Sequence, residues 1–196
     1  MRPRRPQVPA GRGREFAIAA AAGFLGWAVV YVLLALLPSY TAAAVGRSDL
    51  LTGGGAAGSL LLFAAAAQLV FRTRATQWAL QSGLALLAAG LAGLIAAGGL
   101  GSLPLLFVSV AVAGAGQGIS VAGAVRRVNE IAPVTDRAGT VSLFYLVTYS
   151  GSGLTAMGVG LLATVLPLTR AVQLFAAVFA GCALLALAVV RRQPAR

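Results

Sequence analysis

The sequence contains no histidine, no lysine and one cysteine, Cys182, among its 196 residues. The lack of histidine excludes a histidine-dependent catalytic triad and histidine metal sites, and one cysteine cannot build a zinc or iron–sulfur centre. Only four residues are acidic, and charged residues make up 10% of the chain. A soluble domain carries about 25%, so this composition does not suit a soluble globule. The sequence predicts no enzyme, no bound metal and no cofactor.

Hydrophobic residues make up 59% of the chain and form long uncharged stretches. A helix needs about 20 apolar residues to cross roughly 30 Å of hydrocarbon. Arg74 and Arg126 alone enclose 51 residues without a charge, which is room for two crossings and a turn. We therefore predict an all-α membrane protein with six transmembrane helices, at residues 16–37, 51–71, 78–97, 104–125, 139–163 and 169–190.

Four prolines fall at the predicted ends of these spans or in loops, so none is expected to interrupt a span: Pro38, Pro104, Pro133 and Pro167. The glycine-rich segment 98–104 is predicted to form the turn between the third and fourth spans. Residues 1–15 are interpreted as a basic, disordered cytoplasmic tail or linker, and residues 191–196 as a second basic tail.

Arginine distribution predicts the orientation. Thirteen arginines fall on the side of the two termini, and only Arg47 and Arg170 fall on the other. Positively charged loops stay on the cytoplasmic side of a membrane, so both termini are predicted to be cytoplasmic. The membrane is predicted to be a cell membrane, here a bacterial inner membrane. The net charge of +11 is explained by this topology and by contact with anionic lipid, so no nucleic-acid partner is predicted.

Two apparent motifs are set aside. The first apolar run has 22 residues, longer than the 7–15 of a secretory signal, and is interpreted as a retained helix. The glycines of segment 53–58 match the letters of a dinucleotide-binding fingerprint, but here they open a membrane helix and do not follow a strand.

Polar residues inside the spans are the candidates for a solute cavity. Span five carries a stripe at helical spacing that runs from Ser142 to Ser152, and spans one and four carry further polar or aromatic groups. The alternative role for these side chains is hydrogen bonding between packed helices. Gln68 and Gln81 are interpreted as interfacial. The cavity candidates are Trp27, Tyr31, Gln117, Ser120, Tyr145, Thr148 and Tyr149.

The span interiors hold no ionisable acid or base, whereas proton-coupled carriers hold one there. A coupling acid would therefore come from another chain or another half. Gly54 with Gly58, and Gly114 with Gly118, have the four-residue spacing that lets membrane helices approach closely. We interpret both pairs as packing inside the bundle, with self-dimerisation as the alternative.

The segment 114–160 resembles the fourth and fifth helices of a six-helix half from the major facilitator superfamily. The resemblance is carried by the sequence Gly-Ala-Gly-Gln-Gly at 114–118, by the loop residues Glu130 and Pro133, by Asp136-Arg137-Ala-Gly, and by the aromatic span that follows. The signature between helices two and three of the amino-terminal half is missing, and a basic linker-like tail precedes span one. The chain therefore resembles the carboxyl-terminal half, helices seven to twelve.

This resemblance implies half of a secondary active transporter. The substrate would be a small neutral or amphipathic molecule such as a drug, sugar or metabolite, moved by export and alternating access. Glu130 and Arg137 would belong to a cytoplasmic gate network, or form only a surface ion pair. The second half would be a separate chain, a second copy, or upstream sequence. The alternative function is a six-span scaffold or accessory subunit that transports nothing.

Overall fold

The computed structural model describes residues 8, 11–46 and 48–192, apart from the side chains of residues 50 and 135. All regular structure in these ranges is helical, and each long helix is apolar enough to cross a membrane, which confirms the predicted fold class. A 3-10 turn at Val134–Asp136 precedes the fifth helix. The helices are α1 Gly13–Val45, α2 Leu50–Val70, α3 Thr76–Leu100, α4 Leu103–Ile131, α5 Arg137–Val165 and α6 Leu168–Arg191.

Helix α1 runs eight residues beyond the predicted span and contains Pro38 in its interior, so the prediction that Pro38 falls at the end of its span is wrong. Tertiary packing explains the extension. Tyr40 is fully buried and donates to the carbonyl of Leu94 at 3.0 Å, and Thr41 is also fully buried. Gly53 of α2 lies close against Pro38. Helix α1 ends at Gly46, whose φ of 71° suits glycine.

Helix α1 also begins before the predicted span, so residues 13–15 are helical and do not belong to a disordered tail. The tail prediction for residues 1–7, 9 and 10, and for residues 193–196, lies outside the described residues. Helix α4 continues through the basic segment 126–131, six residues past the predicted end. Gly101, with φ of 60°, forms the turn between α3 and α4, and Ser102 caps the start of α4.

Helices α1 and α4 form the centre of the bundle. In the most apolar 18-residue stretch of each of these helices, 61% of the residues are buried. The same fraction is 28% in α2 and 17% in α5. Helix α4 contacts α1, α2 and α3, while α1 contacts α4, α5 and α6, and α3 packs against α6. The main contacts are related by exchange of α1–α3 with α4–α6, although α1 also contacts α3 while α4 does not contact α6 among the described residues.

Glycines allow α4 to approach its neighbours at backbone distance. A Cβ on Gly114 or Gly118 would overlap the backbone of α2, at Leu60 and Ala64. A Cβ on Gly116 would overlap the backbone of α3. Small residues with four-residue spacing suit such crossings in a membrane, where close van der Waals contact replaces the hydrophobic effect between helices.

We expect the Gly114→Ala variant to lower the free energy of unfolding by about 1–3 kcal/mol, because the added methyl group must displace the backbone of Leu60. The matched control is Gly181→Ala on α6, where a Cβ meets no atom within 4 Å. That control should be neutral or more stable by up to about 1 kcal/mol, from helix propensity. Unfolding followed by circular dichroism in detergent would compare the two, and equal stability would contradict the packing described here.

Candidate functional site

A groove of about 550 Å³ lies between the central and flanking helices. Its walls come from α1, α2, α4 and α5, and it lies toward the end of the bundle that carries Arg72 and Arg126, hereafter the basic end. The lining residues are Trp27, Gln68, Arg72, Val121, Ala122, Val125, Arg126 and Tyr145.

The indole of Trp27 is the most chemically distinctive group in this groove. Its Nε1 atom is buried and has no hydrogen-bond partner among the described residues. A buried donor without a partner costs about 1–3 kcal/mol. Because this nitrogen is inaccessible to solvent, other atoms of the Trp27 side chain form its part of the groove's lining.

An aromatic row continues from the groove toward the far end of the bundle. The ring centroid of Trp27 lies 5.1 Å from that of Tyr149 in an edge-on contact and 6.1 Å from that of Tyr31. Tyr145 and Tyr149 stack at 5.4 Å. Tyr31 is 44% exposed and Tyr149 is 42% exposed, so these rings present an open surface rather than filling the core. The structure thus brings four of the seven cavity candidates together.

The other three candidates lie in helix contacts. Ser120 and Thr148 are fully buried, and each hydroxyl donates to a carbonyl of its own helix. Thr148 packs against Gly23 of α1, and Ser120 against the backbone of Gly83 in α3. Gln117 is 5% exposed and lies where α4 crosses α1. The expected single polar face of span five is therefore divided, with Tyr145 and Tyr149 toward the open side.

Arg126 fastens the turn between α2 and α3 to α4. Its Nη1 atom donates to the carbonyl oxygens of Arg72 at 3.0 Å and Arg74 at 2.7 Å, and its Nε atom to Ala122 at 3.3 Å. The guanidinium lines the groove, but two of its nitrogens are occupied by backbone carbonyls. Its first role is therefore to hold the groove's walls together.

A second network at the basic end centres on Arg127. Its Nη1 atom lies 3.6 Å from the Glu15 carboxylate of α1, and its Nη2 atom donates to Gln77 of α3 at 3.0 Å. Gln77 in turn donates to the carbonyl of Val190 in α6 at 2.7 Å. Four helices are therefore joined at this end, and the beginning of α1 and the end of α6 lie on the same side of the bundle.

The two gate candidates lie near this network but do not pair with each other. Glu130 accepts a hydrogen bond from Thr76 and lies 3.9 Å from Arg127. Arg137 donates to the backbone carbonyl of Asn129 at 3.2 Å. The ion pair considered from the sequence is thus replaced by separate contacts that join α4 to α3 and to the start of α5.

Sequence reasoning missed Gln68, Arg72 and Arg126 as groove residues. Gln68 was interpreted as interfacial because it lies near the end of its span. Helical spacing gives the one available signal: Gln68 and Arg72 are four apart, as are Ala122 and Arg126, so each pair shares a face. The sequence does not show which of these faces meet, because that depends on how the helices pack.

The two glycine pairs have different surroundings. Gly114 and Gly118 pack against α2 inside the bundle, whereas a Cβ on Gly54 or Gly58 would meet no atom within 4 Å. The interpretation of Gly54 and Gly58 as packing inside the bundle therefore does not match their position. They lie on the face of α2 that is directed away from α4.

Comparison with solved structures gives the fold. This chain is similar to the xylose transporter XylE from E. coli in an inward-open conformation, with a TM-score of 0.73 and 17% sequence identity. The match covers 91% of this chain and 47% of that transporter. The chain has the fold of one half of a major facilitator superfamily transporter. It spans about half the length of the transporter that it matches. No protein-family model and no curated protein match its sequence.

We expect Arg126→Met to lower the free energy of unfolding of this half-transporter fold by about 1–2 kcal/mol, because charged hydrogen bonds to three carbonyls are lost. Arg192→Met is the control, since Arg192 is exposed just after α6 and should have no measurable effect. Chemical unfolding of both variants in detergent provides the comparison. If the two variants are equally stable, Arg126 does not hold the turn.

Proposed function

We propose that this chain forms one half of a secondary active transporter that moves a small neutral or amphipathic solute by alternating access with a second six-helix half. The observation that carries the proposal is the groove on one face of the bundle, where α1, α2, α4 and α5 supply one wall. The XylE-like fold over 91% of the chain supports it. Carriers of this architecture bind solute between two halves, so a single wall calls for an opposing one.

The groove's chemistry supports a neutral or amphipathic solute. Trp27 and Tyr145 contribute aromatic side chains to the lining. Gln68 adds an amide group. Rings of this kind bind the apolar face of a solute, while one or two polar groups fix its orientation.

We further propose that the chain corresponds to the carboxyl-terminal half and that it works in export across a cell membrane, with the basic end cytoplasmic. The thirteen-to-two division of arginines supports this orientation. Glu130 and Arg137, which tie α4 to α3 and α5, would belong to the contacts that rearrange when the cytoplasmic side closes. A coupling acid would come from the second half, because the spans' interiors hold no ionisable acid or base.

Thiol accessibility tests whether the aromatic row faces water. In a Cys182→Ala background, we expect cysteines at Tyr145 and Tyr149 to react at least about tenfold faster with an impermeant methanethiosulfonate than a cysteine at Leu184, whose side chain is 55% exposed on α6 toward the expected lipid face. The measurement is the labelling rate in lipid vesicles. Equal protection at all three positions would favour the scaffold alternative and remove the solute pathway.

Tryptophan fluorescence tests solute binding. With Trp78→Phe, emission reports Trp27 alone, since the chain has two tryptophans. We expect saturable changes with D-xylose or with a neutral amphiphile, phenyl β-glucoside. Tyr149→Ala removes the ring that lies edge-on to Trp27 and should weaken binding about three- to tenfold, by the usual value of an aromatic contact. Leu185→Ala on the outer face of α6 is the control and should leave affinity unchanged.

A further inference from the structure

We propose that the groove selects an amphipathic organic anion, whose carboxylate is held at the mouth by Arg72 and Arg126 and whose apolar body lies against Trp27 and Tyr145. The inference rests on the proposed function, which places a solute in this groove, and it assigns the charge of that solute. The observation that carries it is the position of two guanidinium groups at the mouth of an aromatic and aliphatic interior.

One nitrogen of Arg126 remains available at the mouth of the groove. The Nε and Nη1 atoms donate to backbone carbonyls, whereas no described residue accepts a hydrogen bond from Nη2. The bonds of the first two nitrogens hold the guanidinium in one orientation against the groove. Its remaining N–H groups are therefore positioned in advance for an oxyanion, which lowers the entropy cost of binding one.

Arg72 supplies a second cation from the end of α2. It is exposed, it lines the groove one helical turn beyond Gln68, and its guanidinium has no partner in the part of the chain that the structure describes. The hydrogen bond from Arg126 to the carbonyl of Arg72 keeps the two residues at the same end of the groove. Arginine is the side chain best suited to pairing with a carboxylate, and here two are available to one ligand.

No acidic side chain lines the groove to neutralise these two cations. The four acids of the chain lie elsewhere: Glu15 and Glu130 line the separate pocket around Arg127, Asp136 precedes α5, and Asp49 precedes α2 at the far end. The groove is therefore electropositive at its mouth, so it attracts an anion and repels a cation. A neutral solute would leave both guanidinium charges without a counter-charge.

The rest of the lining requires an apolar body on the same solute. Val121, Ala122 and Val125 contribute aliphatic side chains, and Trp27 and Tyr145 contribute aromatic ones. The three aliphatic residues precede the arginine in α4, which runs toward the basic end, so this apolar part lies inward of the charged mouth. The groove's volume of about 550 Å³ is within the range of sites for small organic molecules. A bare inorganic anion would leave the apolar wall without contacts.

Calorimetric titration of the full chain in phosphatidylcholine nanodiscs tests the charge preference. The probes are phenylbutyrate, phenylbutyramide and phenylbutylamine, which share one shape and are anionic, neutral and cationic at neutral pH. We expect the anion to bind about tenfold more tightly than the amide, as for one charge-assisted contact, and the amine to give no heat above empty nanodiscs. Equal affinity for the anion and the amide, or tighter binding of the amine, would overturn the inference.

Two arginines of one turn provide a matched pair of variants. Arg72→Gln and Arg74→Gln each remove one positive charge, but Arg72 lines the groove whereas Arg74 lines the separate pocket with Glu15 and Gln77. We expect Arg72→Gln to weaken phenylbutyrate binding about tenfold and Arg74→Gln to change it by less than about twofold. Arg72→Lys keeps the charge and should restore the affinity to within about threefold of the native chain. The same affinity for both glutamine variants would contradict the assignment.

An anionic lipid headgroup carries the same oxyanion chemistry, so a lipid competitor separates the two sources. Dihexanoyl phosphatidylglycerol is added to the phosphatidylcholine nanodiscs before titration, and dihexanoyl phosphatidylcholine is its uncharged match. We expect phenylbutyrate affinity to be the same with either lipid, because the groove is proposed to hold a solute. Displacement of phenylbutyrate by the phosphatidylglycerol alone would assign the two arginines to lipid and overturn the inference.

Failure of this inference is distinguishable from failure of the proposed function. If phenylbutyrate does not bind while phenyl β-glucoside does, the groove holds a neutral solute, and the charge preference is overturned alone. If neither compound binds and Tyr145→Cys and Tyr149→Cys are protected from the impermeant reagent, the groove is not a solute pathway, and the proposed function is overturned with it.

Discussion

The close approach of α4 to α2 and α3 is the constraint on which the rest of the structure depends. The backbone of α4 touches the backbone of both neighbours because Gly114, Gly116 and Gly118 carry no side chain. Helices in lipid gain little from hydrophobic burial, so van der Waals contact at this distance is what holds them. With α2 and α3 bound to one helix, the groove between α1, α2, α4 and α5 follows from geometry.

Polar contacts at the basic end hold the helices together in addition to the glycine contacts of α4. Arg126 is bonded to the turn after α2, and Arg127 joins α1 and α3 through Glu15 and Gln77. Arg126 lies at the mouth of the groove, whereas Arg127 lines a separate pocket beside it with Glu15 and Gln77. Any movement that changes the mouth must therefore change the same contacts. A single chain thus carries both a candidate binding surface and the elements that would couple its opening to helix positions.

Much of this architecture is readable from the sequence, because the bilayer imposes a length and a polarity on each helix. Six uncharged stretches predict six helices, and the structure has them. Pro38 was misplaced because its helix is stabilised by the buried Tyr40 and Thr41, which is tertiary information. Helical spacing likewise placed Thr148 and Tyr149 on one polar face. Only packing against Gly23 shows that Thr148 is enclosed while Tyr149 stays open.

The indole nitrogen of Trp27 departs from the rule that buried donors are hydrogen-bonded. A tryptophan in the middle of a membrane helix usually satisfies its N–H when buried, and no described neighbour accepts from this one. The unpaired nitrogen lowers the stability of the bundle. The buried hydroxyls that the structure describes, such as those of Tyr40 and Thr148, instead donate to backbone carbonyls. Among the described residues, one other buried side-chain nitrogen has no hydrogen-bond partner: Nε of Arg127, which lies 3.9 Å from the Glu130 carboxylate at the basic end. Exceptions of this kind mark the place where a structure is shaped for something other than its own stability.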